Sequence, residues 1–500
     1  MERRKFIKTG GLVSIAGLLI PSIILESCKK KGMDMSNMAT TSISIKEGSF
    51  STLLPILPFV SPIEISSLTA QQSVSQPFIG HNSTLLGYHS GILGPMIKAK
   101  NGDSISIAFS NQLSEETNIH WHGLMIPQAM DGHPDHSVSA GSSFNYQFTI
   151  NQRAGMYWYH PHPEMKTAKQ VFMGLAGAFI VNDLEEENLK LPNGEYEIPL
   201  VIQDKRINYD YSLNYSPTET DKMNGYFGEH ILVNGLYSTY KEVETTYYRL
   251  RVLNGSTARI YNLALSNNSS FEVIGSDGGL LASPEKVTSL LLAPGERVDL
   301  LIDFNGQAIG SELYLQSNKF DGGMIQGTEQ FKLLKFIVTK KSSQTFSLPS
   351  ILSSIPLINA NPSLKVRSWV LGGGMSGMGS MSGMNSMVMP HTINNKTYVS
   401  TEILASVKAG DTEIWEIDNS MNTEIHPIHI HGVQFQVLSR TGGRNQLIAS
   451  EKGWKDTVLL LANEKVRLIM TFPQNKGKFV LHCHNLEHED SGMMVNFEII

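Results

Sequence analysis

Near the end of the chain runs His482-Cys483-His484-Asn485-Leu486-Glu487-His488-Glu489-Asp490-Ser491-Gly492-Met493-Met494. On a strand, side chains alternate between faces, so His482 and His484 point one way and Cys483 the other. One tripeptide can then serve two metal sites. A thiolate, a His five residues on and a Met five beyond that supply three of the four ligands of a blue-copper centre, whose second His must come from elsewhere. Cys483, His488 and Met493 fit that list. Two other chemistries use the same residue types. A structural zinc usually asks for more than one Cys, and a small buried thiol among core histidines needs no metal at all.

Three further stretches carry paired histidines: His120-Trp121-His122-Gly123, His160-Pro161-His162 and His426-Pro427-Ile428-His429-Ile430-His431-Gly432. Sixteen His in 500 residues give roughly half a His-x-His pair by chance, and the chain has four. The pairs also repeat in context. Gly102-Asp103 stands eight residues before Asn111 and then the pair at His120, as Gly410-Asp411 does before Asn419 and the pair at His429. Gly155 precedes His160 by five, as Gly477 precedes His482. The first and last thirds therefore read as two versions of one unit. A site between them collects eight imidazoles, enough for three metals. The other histidines, His81, His89, His133, His136, His230 and His391, read as surface residues.

Short alternating runs such as Phe144-Asn145-Tyr146-Gln147-Phe148-Thr149-Ile150, with Gly, Asn and Pro between them, predict an all-β chain of sandwich domains. The expected order is an export signal over 1–27, a tether and leading strand of weak local structure over 28–76, and domains over 77–188, 189–345 and 346–500. The middle domain has no His pair and reads as scaffold. Within 372–389, Met375, Met378, Met381, Met384 and Met387 recur every third residue among Gly and Ser, and Met389 closes the run. Nothing there can bury an apolar stripe, and thioethers suit Cu(I).

Charge and leader bound the partners. The net charge of −6 leaves no basic excess to neutralise phosphates, so no nucleic-acid partner is expected. Arg3-Arg4-Lys5-Phe6-Ile7-Lys8 before an apolar run, broken by Pro21 and too short for a membrane span, reads as a twin-arginine-like export signal. Leu25-Glu26-Ser27-Cys28 looks like a lipoprotein cleavage box, which would anchor a periplasmic or outward-facing monomer through Cys28. Cys483 would then be the sole free thiol.

From Phe78 to Ile500 the chain resembles a three-domain bacterial multicopper oxidase of the laccase or cuprous oxidase type. The motifs that carry the likeness are HWHG, HPH, HPIHIHG and HCHNLEHEDSGMM, in the family's order. The resemblance implies three consecutive cupredoxin-like Greek-key β-sandwiches and four copper ions. It implies Cys483, His426 and His488, with Met493 axial, at a type 1 copper, and His120 and His429 at a type 2 copper. His122, His160 and His484 would hold one type 3 copper, and His162, His431 and His482 the other. Asp131 and Glu489 stand where the family has acids that orient ligands or relay protons. Dioxygen would be the acceptor. The donor would be Cu(I), gathered by the Met run and Glu424, or a phenol. Cuprous oxidases tend to carry acid and Met residues just before HPxHxH; this chain has Met421-Asn422-Thr423-Glu424, so Glu424 would have to supply the charge.

Overall fold

The computed structural model describes residues 44–89, 91–322, 326–374 and 389–500. The signal at 1–27, Cys28 and Met375 to Met387 lie outside them, and of Met389 only the backbone is described.

The chain is all-β, with a few helices of at most six residues among the described ones. Alternation sets the strands. In Ser104–Asn111 the residues Ile105, Ile107 and Phe109 are buried while Ser104, Ser106 and Ala108 face water. That strand pairs antiparallel with Ser143–Thr149, putting Ile105 beside Phe148 and Ile107 beside Tyr146 on one inward face. Each third of the chain builds two sheets around its own apolar core, giving three cupredoxin-like sandwiches.

The repeat read from glycine and histidine spacing is a repeat of strand order. In the first third a five-stranded sheet runs Phe59–Val60, Met96–Lys100, Gly177–Asn182, Gly155–His160, His120–His122. In the last third a five-stranded sheet runs Ile403–Val407, Met494–Ile499, Gly477–Cys483, His426–Ile430, Thr457–Leu460. Their antiparallel registers agree: His120 lies opposite His160, and His429 opposite His482. Each pairing delivers two His-x-His segments to the same end of its sheet.

Two expectations need correction. The stretch before Phe78 is not weakly structured where it is described: Ser67–Phe78 is a twelve-residue strand of a four-stranded sheet. Its Gln and Ser content obscures it, since only Leu68, Ala70, Pro77 and Phe78 of its twelve residues are buried. Further upstream, Thr52–Leu53 pairs in parallel with the middle third's Thr239–Glu244. The second correction concerns histidines read as surface: His133, His230 and His391 are buried. Two of them have polar company that a sequence does not reveal, His133 against Asn496 and His391 against Glu424.

Candidate metal centres

Strand alternation at Gly477–Cys483 works as its sequence implies. Cys483 turns into the apolar core of the last third, between Ile428 on the neighbouring strand and Met493. There its Sγ lies 3.6 Å from His426 Nδ1 and 3.7 Å from His488 Nδ1, and the two Nδ1 atoms are 3.3 Å apart. Met493 is fully buried beside them, and its carbonyl accepts the Cys483 N–H at 3.0 Å. His488 sits on the short helix Leu486–Asp490. Its Nε2 donates to the Met223 carbonyl at 2.8 Å, which leaves Nδ1 unprotonated and facing the thiol. Burial pushes the Cys483 thiol well up and holds His426 down at about 3. An apolar pocket that penalises both a bare thiolate and an imidazolium suits a thiolate bound to a cation.

The eight remaining imidazoles converge where the two repeated sheets meet. His120 Nε2 and His429 Nε2 are 3.4 Å apart. His482 Nε2 lies 3.3 Å from His162 Nε2 and 3.1 Å from His431 Nε2. His160 Nε2 is 3.4 Å from His122 Nδ1, and the His484 ring stands 5.0 Å from His122 and 5.5 Å from His160. All eight are buried. Burial holds His160 down at about 3 and His120, His122, His162, His429, His431 and His484 well below the ordinary imidazole range.

Outer hydrogen bonds fix which nitrogen faces inward. His120 Nδ1 donates to the Asp131 carbonyl at 2.7 Å and His429 Nδ1 to the Asp456 carbonyl at 2.8 Å. His160 and His482 each donate Nδ1 to the carbonyl of the next residue, at 2.9 and 3.1 Å. The Asp131 carboxylate accepts from His431 Nδ1 at 2.8 Å, and the Asp456 carboxylate from His122 Nε2 at 3.1 Å. Glu489 lies 3.0 Å from His482 Nδ1 and 3.4 Å from His162 Nδ1. Both ring nitrogens of His484 are buried with no hydrogen-bond partner among the described residues. An imidazole buried without a partner costs free energy that a metal bond would remove. Orphaned nitrogens, neutral rings and inward-facing lone pairs are the donor set that transition metals take.

The middle third reaches the cluster through one buried side chain. Its Arg297 is buried and clamps Asp456, with Nη2 to Oδ2 at 2.6 Å and Nη1 to Oδ1 at 2.8 Å. Burial alone would raise the Asp456 carboxyl, but Arg297 outweighs it and holds the group below its ordinary range. Asp131 has no such cation, and burial pushes it well up. Gly123 lets the two domains close on this clamp: at φ +88° a Cβ there would stand 2.5 Å from Asp456 Oδ2 and 2.7 Å from Arg297 Nη2. Asp456, Arg297 and His391 were missed from sequence. Asp456 lies 27 residues after His429 whereas Asp131 lies 11 after His120, so the repeat spacing conceals their equivalence.

Family models described as multicopper oxidase match residues 69–186, 197–334 and 376–500, one on each third. The chain belongs to the multicopper oxidase family. It is 33% identical over 486 residues to the multicopper oxidase mco of Staphylococcus haemolyticus, covering 95% of this chain and 99% of that protein. It is 33% identical over 514 residues to the laccase of Bacillus subtilis, covering 90% and 98%. Among solved structures, the McoA multicopper oxidase of Aquifex aeolicus superposes with a TM-score of 0.81 at 36% identity, over 91% of this chain and 100% of that one. The oxidase is thus an oxidoreductase with oxygen as acceptor, and copper is the cofactor its clustered histidines suit. Among the described residues no helix is long and apolar enough to cross a membrane.

Proposed function

We propose that this oxidase couples one-electron oxidation of Cu(I), as a copper-detoxifying step, to the four-electron reduction of dioxygen to water. Four copper ions would be held: a type 1 ion by Cys483, His426, His488 and axial Met493, a type 2 ion by His120 and His429, and a type 3 pair by His122, His160, His484 and by His162, His431, His482. Copper bound at these sites would supply reversible one-electron chemistry at each ion, the first site's electron joining the three held at the cluster to make the four that dioxygen requires. The observation that carries the reading is the pair of Cys483 contacts at 3.6 and 3.7 Å, made by a residue whose chain neighbours His482 and His484 both reach the histidine cluster. One covalent stretch of backbone joins the two sites.

The chain's own groups orient and supply. Asp131 fixes His431, and Glu489 lies against His482 and His162; the carboxyl of each is placed to pass a proton inward. Burial raises the Asp131 carboxyl and so favours its protonated form. Asp456, held ionised by Arg297, serves as a fixed support for His122.

Cu(I) is favoured as donor by the Met run from Met375 to Met389 and by Glu424, whose side chain reaches toward the first site through His391. A laccase-type oxidation of phenols is the second reading, favoured by the 33% identity to a protein named laccase. The Arg3-Arg4 leader and Cys28 support an exported oxidase, with Cys28 as lipid anchor. Copper content, the blue absorption band and oxygen uptake with Cu(I) and with a phenol, measured on one preparation, test the proposal. A colourless loaded protein, or uptake with the phenol alone, rejects it.

A further inference from the structure

His488 is 1% exposed. Its Nε2 edge is closed by the Met223 carbonyl, and one face is covered by the His391 ring, stacked at 3.7 Å with the planes 19° apart. His426 is buried too, with the Asn422 amide 3.1 Å from its Nε2. A reductant in solvent therefore touches neither imidazole. His391 itself is 2% exposed, and its Nε2 lies 2.8 Å from Glu424 Oε2. The Glu424 side chain is 12% exposed, and Met421, three residues earlier, is 86% exposed. Exposure thus rises in steps along one line of contacts, from His488 through His391 to Glu424, and Met421 stands exposed three residues earlier on the same loop.

We infer that His391 is the bridge through which the reductant's electron reaches His488, with Glu424 fixing the His391 ring in the stack and drawing a cationic donor to its outer edge. The inference rests on Cys483, His426 and His488 forming the type 1 set. Its donor class is a soft cation, Cu(I), since an exposed thioether and a carboxylate stand at the outer end. The step is a bare electron transfer. The donor Cu(I) becomes Cu(II), one electron crosses the stacked rings to reduce the Cu(II) that Cys483, His426 and His488 would hold to Cu(I), and His391 and Glu424 keep their bonds and protons. The competing path runs from Met421 through Asn422 to His426.

The test uses the copper-loaded full chain without oxygen, mixed rapidly with a Cu(I) chelate while the blue band is followed. Three variants are compared with the parent: His391→Leu removes the imidazole, His391→Phe keeps a stacked ring without the Glu424 bond, and Asn422→Ala breaks the competing path. His391→Leu is expected to slow bleaching about tenfold or more, and His391→Phe to slow it less. The midpoint potential and the electron paramagnetic resonance parameters of the blue site should stay unchanged in both. Bleaching as fast as the parent in His391→Leu overturns the inference. So does slowing confined to Asn422→Ala, or slowing accompanied by altered resonance parameters, which would make His391 merely structural. A parent protein with no blue band would reject the type 1 assignment itself, a separate failure read from the same samples.

Discussion

Asp131 and Asp456 exchange domains. Each gives its backbone carbonyl to the first His of its own third, His120 or His429, and its carboxylate to the second His of the other third, His431 or His122. The two aspartates therefore tie the repeated units together across the histidine cluster. Their carboxyls are shifted in opposite directions, Asp131 up by burial and Asp456 down, because only Asp456 of the two has a guanidinium against it.

That asymmetry separates two substitutions. Asp456→Asn leaves buried Arg297 with only the more distant Asp277 carboxylate, 3.6 Å away, as counter-ion and should cost about 3 kcal/mol of stability. Asp131→Asn removes no paired charge and should cost much less, while slowing oxygen reduction about 10- to 100-fold. Denaturant unfolding of the copper-free variants, set beside single-turnover reoxidation of the loaded ones, checks both. Equal stability losses would remove the distinction.

Cys483→Ser should abolish the blue band and turnover together, since no other thiol lies near His426 and His488 among the described residues. Met493→Leu should keep copper and raise the midpoint potential, because an axial thioether bond is long and weak. Absorption, copper analysis and a redox titration decide. Loss of the ion in Met493→Leu would mean the thioether holds it rather than tunes it.

Much of this site was legible in the sequence because metal ligation forces residue types into fixed spacing. His482, Cys483 and His484 announce a two-faced strand, and the glycines at 155 and 477 announce the repeat. What stayed hidden is what pairs through space alone. Arg297 reaches Asp456 across 159 positions, and His391 reaches His488 from a strand outside the four histidine motifs. A leading strand was expected within 28–76, but the extent of Ser67–Phe78 was hidden, since its polar residues face water and leave few apolar ones to mark it.

The copper-free protein should be acid-sensitive in a definite window. His160 and His426 are held at about 3 by burial, against about 6.5 in an unfolded chain. Between those values the unfolded chain binds more protons, so stability is full above about pH 6.5 and falls as pH drops toward 3, by about 1.4 kcal/mol per pH unit for each such His. Urea unfolding of the copper-free chain at pH 7.5 and 5 measures it. A midpoint that does not move would mean the rings are solvated.

Replacing Met375, Met378, Met381, Met384 and Met387 with Ser should weaken apparent affinity for Cu(I) and leave phenol oxidation unchanged or faster, because thioethers concentrate a soft cation and offer a phenol nothing. Steady-state rates on both donors, with spectra confirming full copper loading, check this. Equal losses on both would assign the run a structural role.

The central claim is that Cu(I) is oxidised at the expense of dioxygen reduced fully to water. Its most direct test is the stoichiometry of oxygen uptake by the copper-loaded oxidase supplied with Cu(I), with peroxide assayed in the same cell. The account predicts about four Cu(I) consumed per dioxygen, one for each electron that full reduction requires, with no peroxide released. About two Cu(I) per dioxygen with peroxide accumulating, or no uptake above the rate without enzyme, would contradict it.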